Sequence, residues 1–597
     1  MGASATGGAM EALDAIRGGT ILEAQTVGGE IRKIGRICVA AVAALIALES
    51  VAPAATYTWT GGGGGDPNWS NPENWGGAAP ADNETGVELI FPPLTGHYAT
   101  NNDRSGLHLT SLSVTTQLSD GDYAFTGNAI GLSGQVTMDN PGSGSPNVVW
   151  QIPVVLNGDA TVNTSGRQTQ LQGAIDLDDS TLTLDSAGDV VLAGTVSGSG
   201  NLVKNGGSAL TISGSNSYSG TTTANNGALY IASATAFGDG ATGTVFNGGF
   251  LGFVPGGAFT TAEPFVFNGG DIVAYGTPTM MGQVALNTVI DVRPFTDDAI
   301  LTINGVIGGD GGLNKIGPGL LILNAATNSY AGATAVGAGT LQLDAALSST
   351  SSVTVDTGAT LKGNGSSGGM IDVQGGGTVA PGASPGQLSS AGLTMATGAI
   401  FAEEIDGASP ITQYDALAVS GPVSLNDATL AVTLGYAPSD GQQFTLIAQL
   451  QDVPVSGTFA GLPEGAVFQV SGTTFGITYN GGAGHDVVLL AGPPHTPTVT
   501  PTEPAPAQTA TATPTSSMMP TATVTGPPAQ CTGDCDGNGM VAINELVIGV
   551  NIALGNLAIS ECPRFDANGD AGVTIPELIQ AVANTLNGCA AASSISR

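Results

Sequence analysis

Two twelve-residue segments near the C-terminus carry oxygen-bearing residues at the spacing that a calcium ion requires. The predicted ligands of the first segment are Asp534, Asp536, Asn538, Met540 through its backbone carbonyl, and Glu545. The pattern recurs 32 residues later, with the predicted ligands Asp566, Asn568, Asp570, Gly572 through its carbonyl, and Glu577. Calcium prefers oxygen ligands in this order, with a bidentate Glu at position 12. The sequence therefore predicts two calcium sites.

The residue at position 6 distinguishes the two segments. Gly539 fills it in the first and readily adopts the left-handed turn that the loop needs. Ala571 fills it in the second, so weaker binding is expected there. The alternative for both segments is a pair of Asp/Asn/Gly turns without metal.

Each segment is followed by the pattern Glu-Leu-x-x-x-Val-x-x-x-Leu, which predicts an exiting helix from Glu545 and another from Glu577. A Pro/Thr-rich linker precedes the first segment, so the entering helix of an EF-hand is not expected. This duplicated unit, about residues 534–588, resembles a type I dockerin, a small α-helical domain with paired calcium loops. The resemblance implies calcium-dependent docking onto a cohesin-like protein module, and a surface polysaccharide is the other expected partner.

Four cysteines frame this module: Cys531, Cys535, Cys562 and Cys589. Four cysteines confined to a small exported domain favour two disulfides, with three pairings open. A zinc site is the alternative.

The N-terminus and the charge balance restrict location and partners. Arg32, Lys33 and Arg36 precede an apolar run over 37–48 and an Ala-Pro-Ala site at 52–54, which predicts a secretory signal and no membrane span in the mature chain. The net charge of −35 excludes nucleic acid and anionic membranes as partners. A secreted or cell-surface bacterial protein is expected.

The central region repeats short β-branched or Leu-rich runs between Gly/Asn/Ser turns. Thr-Val245-Phe-Asn-Gly-Gly249 recurs as Phe-Val266-Phe-Asn-Gly-Gly270, an offset of 21 residues. A period near twenty predicts a mainly β chain that forms a right-handed parallel β-solenoid (a β-helix), with roughly eleven coils between residues 110 and 345. A chain of β-sandwiches is the runner-up.

Two longer segments, Gly200 to Thr222 and Gly311 to Thr334, share Leu-x-Lys followed by Asn-Ser-Tyr-x-Gly-x-Thr. They resemble autotransporter-associated β-strand repeats. The resemblance extends over about 56–490 and implies a β-helical, adhesin-like stalk at the cell surface without an enzymatic activity.

Acidic pairs are the candidates for catalysis on a β-helix. They are Asp176 with Asp178 on one strand face, Asp297 with Asp298, and the set Glu403, Glu404 and Asp406. Basic residues are too few to cluster beside them, so solvated strand faces are favoured and no catalytic residue is assigned. Trp59, Trp69 and Trp75 are expected to cap the open end of the solenoid rather than to form a sugar-stacking platform.

The predicted division of the chain follows from these segments. It is a leader (1–54), an N-terminal cap (55–110), solenoid repeats (111–384), a C-terminal β segment (385–490), a Thr/Pro-rich linker (491–530) and the dockerin-like module (531–590). The favoured function is a non-catalytic surface protein with a calcium-binding docking module. The alternatives are a component of a polysaccharide-binding or polysaccharide-degrading assembly, and a β-helix carbohydrate-active enzyme.

Overall fold

The computed structural model describes residues 54–94, 96–116, 121–141, 148–348, 351–492, 531–535, 540–554, 557–569 and 572–587. The predicted signal and nearly all of the linker lie outside these residues. The chain forms two compact units, Met1–Pro497 and Thr498–Arg597. We call the β structure of the first unit the rod and the helical part of the second unit the module.

The rod consists of short strands. The strands of its first third are β1 (Ala55–Thr58), β2 (Val87–Phe91), β3 (Gly96–Asn102), β4 (Leu107–Thr115), β5 (Gly121–Gly127), β6 (Ile130–Asn140), β7 (Val148–Trp150), β8 (Val154–Gly166), β9 (Thr169–Leu171), β10 (Ile175–Asp176), β11 (Thr181–Ser186), β12 (Val190–Leu192), β13 (Val196–Ser197), β14 (Asn201–Lys204) and β15 (Leu210–Ile212). The next strands are β16 (Thr222–Ala224), β17 (Ala228–Ile231), β18 (Thr244–Phe246), β19 (Phe250–Phe253), β20 (Thr260–Thr261), β21 (Phe265–Phe267), β22 (Asp271–Ala274), β23 (Thr279–Met280), β24 (Val284–Leu286), β25 (Ile290–Pro294), β26 (Ile300–Ile303), β27 (Ile307–Gly308), β28 (Leu313–Lys315), β29 (Leu320–Leu323) and β30 (Thr334–Val336). The last strands are β31 (Thr340–Leu343), β32 (Val353–Val355), β33 (Thr360–Gly363), β34 (Ser366–Val373), β35 (Thr378–Pro381), β36 (Gln387–Met395), β37 (Ile400–Ile405), β38 (Ala416–Val419), β39 (Val423–Ser424), β40 (Thr429–Leu434), β41 (Gln443–Gln449), β42 (Val467–Val470), β43 (Thr473–Gly481) and β44 (Asp486–Ala491).

These strands stack in parallel as three sheets along a solenoid. The first sheet runs from β1 through β2, β4 and β6 to β27, the second from β3 through β5 and β7 to β41, and the third from β20 to β40. Between residues 121 and 336 the described part of the second sheet contains eleven strands, namely β5, β7, β9, β12, β15, β17, β19, β22, β25, β28 and β30. The predicted parallel β-solenoid and its number of coils are therefore confirmed, and the β-sandwich alternative is wrong.

Alternation of side chains along each strand creates the core. Successive residues point to opposite faces, so the middle residue of a three-residue strand faces outward and its neighbours face inward. Stacking then produces apolar columns inside the rod, one of which consists of Val190, Leu210, Leu229, Leu251, Ile272 and Val292. Burial of these columns stabilises the solenoid.

Stacked turns complete the coils. The amide Nδ2 of Asn247 donates to Oδ1 of Asn225 (2.8 Å), and Asn268 donates to Asn247 in the same way (2.9 Å). Gly249 follows at φ 73°, and a Cβ there would collide with the Gly227 carbonyl oxygen one coil below. The recurring Asn-Gly-Gly sequence is thus the turn that lets successive coils approach.

The N-terminal tryptophans pack together inside the first coils. Trp59, Trp69 and Trp75 are buried, and Trp75 meets the other two edge to face at centroid distances of 5.1 and 6.1 Å. The Trp75 Nε1–H donates to the Trp69 carbonyl (2.8 Å). Phe91 extends the cluster inward. The buried rings are not a sugar-stacking platform, and the capping interpretation stays a prediction.

The C-terminal end of the rod changes to antiparallel pairing. β44 pairs antiparallel with both β41 and β43, and β42 pairs antiparallel with β43. At the β43–β44 turn Gly481 lies opposite Asp486, whose carboxylate accepts the Gln449 N–H (2.8 Å). The segment closes the rod as a β-hairpin.

The module contains helices α1 (Ile543–Ala553) and α2 (Ile575–Asn587), with 3₁₀ turns at Ile559–Glu561 and Pro563–Phe565. Its small core consists of Ile552, Cys562, Phe565, Val573 and Ala581. None of the helices in the described ranges is long and apolar enough to cross a membrane.

Candidate functional sites

The first predicted calcium loop leads directly into α1 and is tied to it by Glu545. This side chain is 3% exposed, its Oε1 accepts the Cys535 N–H (2.7 Å), and its Oε2 accepts the Ala542 N–H (2.8 Å). Ala542 precedes the helix, so the second bond satisfies an amide that the helix leaves unpaired. Glu545 therefore spans the loop from its second to its ninth position.

Glu577 repeats this arrangement before α2. Its Oε1 accepts the Ala567 N–H (2.9 Å), and its Oε2 accepts both the N–H and the hydroxyl of Thr574 (2.8 Å each). The hydrogen bond from the Thr574 N–H, followed by the other donors, lowers the pKa of this carboxyl group below its ordinary value. In the described parts of the two loops, Glu545 and Glu577 therefore make equivalent hydrogen bonds to backbone N–H groups.

Asp534, the first predicted ligand, lies beside Arg564. The Arg564 Nη1 donates to Asp534 Oδ2 (2.8 Å) and to the Asp534 carbonyl (3.2 Å). Asp534 is 3% exposed. This ion pair connects the start of loop one to the segment that leads into loop two. Its two residues are 30 positions apart, so the sequence did not predict the contact.

The remaining predicted ligands divide into two groups. Asp566 accepts the Gly569 N–H at Oδ1 (2.7 Å), and Met540, Asn568 and Gly572 are within the described residues. Asp536, Asn538 and Asp570 lie outside them, as do the position-6 residues Gly539 and Ala571. Within the described ranges no three His, Cys, Asp or Glu side chains cluster as metal ligands. The donor set is nevertheless all oxygen, and it includes buried carboxylates that suit calcium.

The module also contains disulfide-bonded cysteines. Cys535 and Cys562 form a disulfide. Cys531 is also disulfide-bonded, and Cys589 lies outside the described residues. The disulfide interpretation is confirmed for Cys535 and Cys562, so the zinc alternative is wrong for that pair.

Each helix of the module has an apolar face directed outward. On α1 and just after it, this face consists of Ile543, Val547, Val550 and Leu554, and on α2 of Ile575, Ile579 and Val582. Their spacing of four, three and four residues places them on one side of a helix. Ile543 is 75% exposed and Ile575, its equivalent 32 residues later, is 72% exposed. We call these residues the paired apolar faces; exposed apolar surface of this kind marks interaction sites.

In the rod, two lysines lie inside the solenoid. Lys204 and Lys315 are fully buried, and burial lowers the pKa of each to about 8. The Lys204 Nζ donates to the carbonyls of Gly206 (2.6 Å) and Asn226 (2.8 Å). Lys315 makes the equivalent bonds to Gly317 and Ala338 (2.8 Å each). Each lysine fills the core with its stem and links the turns of two coils with its amino group.

The same two segments share three further buried polar residues. The Tyr218 and Thr222 hydroxyls hydrogen-bond at 2.5 Å, and the Tyr330 and Thr334 hydroxyls at 2.6 Å. An asparagine Oδ1 accepts a strand N–H in each segment, Asn216 from Val196 and Asn328 from Ile307 (2.8 Å each). The two segments therefore share buried polar residues at equivalent positions as well as apolar ones.

Comparison with known families identifies these segments. Residues 202–231 and 313–343 match the family model of the passenger-associated-transport-repeat. No curated protein matches the chain. The two transport repeats and the parallel solenoid support the interpretation of the rod as the passenger-like stalk of an exported surface protein.

The acidic pairs considered for catalysis do not form one site. Strand β10 ends at Asp176, and Asp178 adopts a left-handed φ of 51°, with its N–H donated to the Asp176 carboxylate (3.1 Å). The expected shared strand face of Asp176 and Asp178 was therefore wrong, because the pair forms a turn. Asp297 and Asp298 also lie in an exposed turn. Glu403 faces the core, whereas Glu404 faces outward and Asp406 is exposed.

Three buried carboxyl groups in the rod have raised pKa values. Burial raises the pKa of Glu263 to about 7 and that of Asp415 to about 6. Burial, aided by the nearby Asp415, raises the pKa of Glu403 well above its ordinary value, and neither carboxyl oxygen of Glu403 has a hydrogen-bond partner within the described residues. Burial thus favours the protonated form of each acid more than in an exposed carboxyl group.

We expect the rod to lose stability as the pH rises from 5 to 8. Folded pKa values above those of the unfolded chain stabilise the rod fully below about pH 4, and this contribution is lost as the pH rises through about 7. For Glu263 the loss is roughly 2–3 kcal/mol. Thermal unfolding followed by tryptophan fluorescence measures it. Glu263→Gln should flatten the pH dependence, whereas Asp297→Asn, in an exposed turn, should not; an unchanged slope in Glu263→Gln would contradict the prediction.

Proposed function

We propose that this chain is a non-catalytic, adhesin-like stalk of the bacterial cell surface that carries a calcium-dependent docking module. The observation that carries the docking role is the pair of equivalent exposed apolar faces, represented by Ile543 on α1 and Ile575 on α2. A helix normally buries its apolar side chains, and the module core uses the opposite sides of these helices, including Ile552 and Ala581. The outer faces are left for a partner.

Two calcium ions would organise these faces. Asp534, Asp536, Asn538, Met540 and Glu545 would hold one, and Asp566, Asn568, Asp570, Gly572 and Glu577 the other. When bound, each ion supplies positive charge that offsets the loop carboxylates. Glu545 and Glu577 already connect each loop to the first turn of its helix. Metal at the loop would therefore fix the start of each apolar face.

The partner that fits is a cohesin-like protein module with an apolar docking surface. Because the two faces have equivalent residues, either helix could present the same contacts. The excess of 47 Asp and Glu over twelve Lys and Arg in the chain disfavours an anionic partner.

The test is a pull-down from surface extract of the source organism with the full chain as bait. We expect capture of a protein in calcium and its loss in EGTA. The double variant Val547→Glu with Ile579→Glu places a charge at equivalent positions of both faces and should abolish capture. Leu557→Glu, an equally apolar exposed residue of the module outside both faces, is the matched control. Undiminished capture by the double variant would contradict the docking role.

A further inference from the structure

The outer surface of the second sheet contains a cleft that extends over three successive coils, β19, β22 and β25. Its volume is about 180 Å³. The outward-facing Val273 forms part of its floor. This cleft lies on the rod and does not depend on the module.

The two walls of the cleft differ in chemistry. One wall contains Phe250 and, on the next coil, Asp271, which pairs with it in register; Asp291 follows one coil further. The other wall contains Tyr275 and Phe295, whose ring centroids are 4.8 Å apart at an angle of 41°. Four residues separate Asp271 from Tyr275 along the strand direction, which corresponds to roughly 13 Å.

The rings of the aromatic wall are exposed to solvent. Phe295 is 46% exposed, and Tyr275 is partly exposed beside it. A second aromatic pair lies at the end of the cleft, where Phe250 meets Tyr230 edge to face at 5.5 Å. In a chain with only 5% aromatic residues, four outward-facing rings on adjacent coils form an unusual apolar surface.

Among the described residues, hydrogen bonds hold the carboxylates of the cleft in place and use only one oxygen of each. Asp271 Oδ1 accepts the Asp291 N–H (3.0 Å), and Asp291 Oδ1 accepts the Asn314 side-chain amide (3.2 Å). One oxygen of each carboxylate is thereby fixed. Arg293 lines the cleft, and its guanidinium makes no ion pair or hydrogen bond with any residue that the structure describes.

We propose that this cleft binds a segment of a neutral polysaccharide. The C–H face of a pyranose ring is apolar and fits against Tyr275 and Phe295, while its hydroxyls can pair with carboxylate and guanidinium groups. Two carboxylates and one arginine give the cleft a net charge of −1, and the chain carries −35. Both charges disfavour a polyanionic ligand.

Affinity electrophoresis of the full chain tests this proposal, in native gels that contain glucomannan, xylan or hydroxyethylcellulose, with polygalacturonate as the polyanion. We expect retardation in at least one neutral gel and none in polygalacturonate. Tyr275→Ala and Phe295→Ala should each weaken binding on the order of tenfold, and Arg293→Gln should weaken it independently of the aromatic wall. Met370→Ala is the matched control, because Met370 is 42% exposed on β34 of the same sheet.

Three results would overturn the proposal. They are no retardation in any neutral gel, retardation in polygalacturonate as strong as that in the neutral gels, and retardation that Tyr275→Ala, Phe295→Ala and Arg293→Gln leave equal to that of Met370→Ala. Circular dichroism of each variant checks that the rod is folded. Release of reducing ends from the bound polymer, lost in Asp271→Asn, would contradict the non-catalytic function proposed for the chain.

Discussion

Removal of calcium from the full chain is expected to unfold the module and to leave the rod intact. The hydrophobic cluster of the described part of the module has five buried residues, and the predicted calcium ligands Asp534 and Glu545 are also buried. So small a core contributes little stability, and calcium binding would add directly to the folding free energy of the module. The rod is stabilised by stacked apolar columns that need no metal.

Hydrogen–deuterium exchange measures both parts in one sample. At calcium concentrations about 100 times the dissociation constant, each bound ion stabilises the folded module by about 2.7 kcal/mol, so EGTA should reduce protection of α1 and α2 by at least about a hundredfold. Peptides from β32 to β37 serve as the internal control. Glu545→Gln with Glu577→Gln should abolish the calcium effect. Protection of both helices that EGTA leaves unchanged would contradict the proposed sites.

Truncation of the buried lysines is expected to destabilise the rod strongly. Lys204→Ala removes a fully buried stem that stacks in register between Leu184 and Ala224, and it removes the two hydrogen bonds to the turn carbonyls. A cavity of this kind costs roughly 2–4 kcal/mol. Lys315→Ala should cost a similar amount, and the two effects should add because the lysines lie several coils apart.

Two substitutions separate the contributions of stem and charge. Lys204→Met retains the volume and loses only the hydrogen bonds, so about 1 kcal/mol is expected. Lys362→Ala removes an outward-facing lysine of β33 and should change stability by about 0.5 kcal/mol or less. Urea unfolding followed by the β signal in circular dichroism measures all of them. A loss in Lys204→Ala no greater than that in Lys362→Ala would show that the buried lysine is dispensable.

The repeat pattern predicted the solenoid because the same short strand and the same turn recur about every twenty residues. The Asn-Gly-Gly turns at 247–249 and 268–270 carry that information locally, since only glycine suits the left-handed turn against the coil below. Burial of Trp59, Trp69 and Trp75 was predictable from their residue type, because large apolar rings are seldom left exposed. The 32-residue duplication likewise predicted the exiting helices of the module.

Side-chain direction was not predictable for the charged residues of the rod. Lysine and glutamate are ordinarily assigned to the surface, yet Lys204 and Glu403 occupy inward positions of their strands. The two-residue alternation from Leu202 to Lys204 was the available signal. The same alternation failed for Asp176 and Asp178, because β10 ends at Asp176. The end of a strand is decided by its pairing with neighbouring coils rather than by its own residues.

The sequence by itself determined the local units of this protein: strand, turn, cap, calcium-loop pattern and exiting helix, because each is specified by residues close together in the chain. Only the tertiary structure decided which distant residues meet. The disulfide between Cys535 and Cys562, the ion pair of Arg564 with Asp534, and the cleft between Asp271 and Phe295 all depend on it. In the rod the physical reason is that the number of residues per coil varies, with 21 between Phe250 and Asp271 and 20 between Ile272 and Val292, so the stacking register sets the neighbours. In the module the disulfide and the ion pair join residues 27 and 30 positions apart, which meet only when the chain between them folds back.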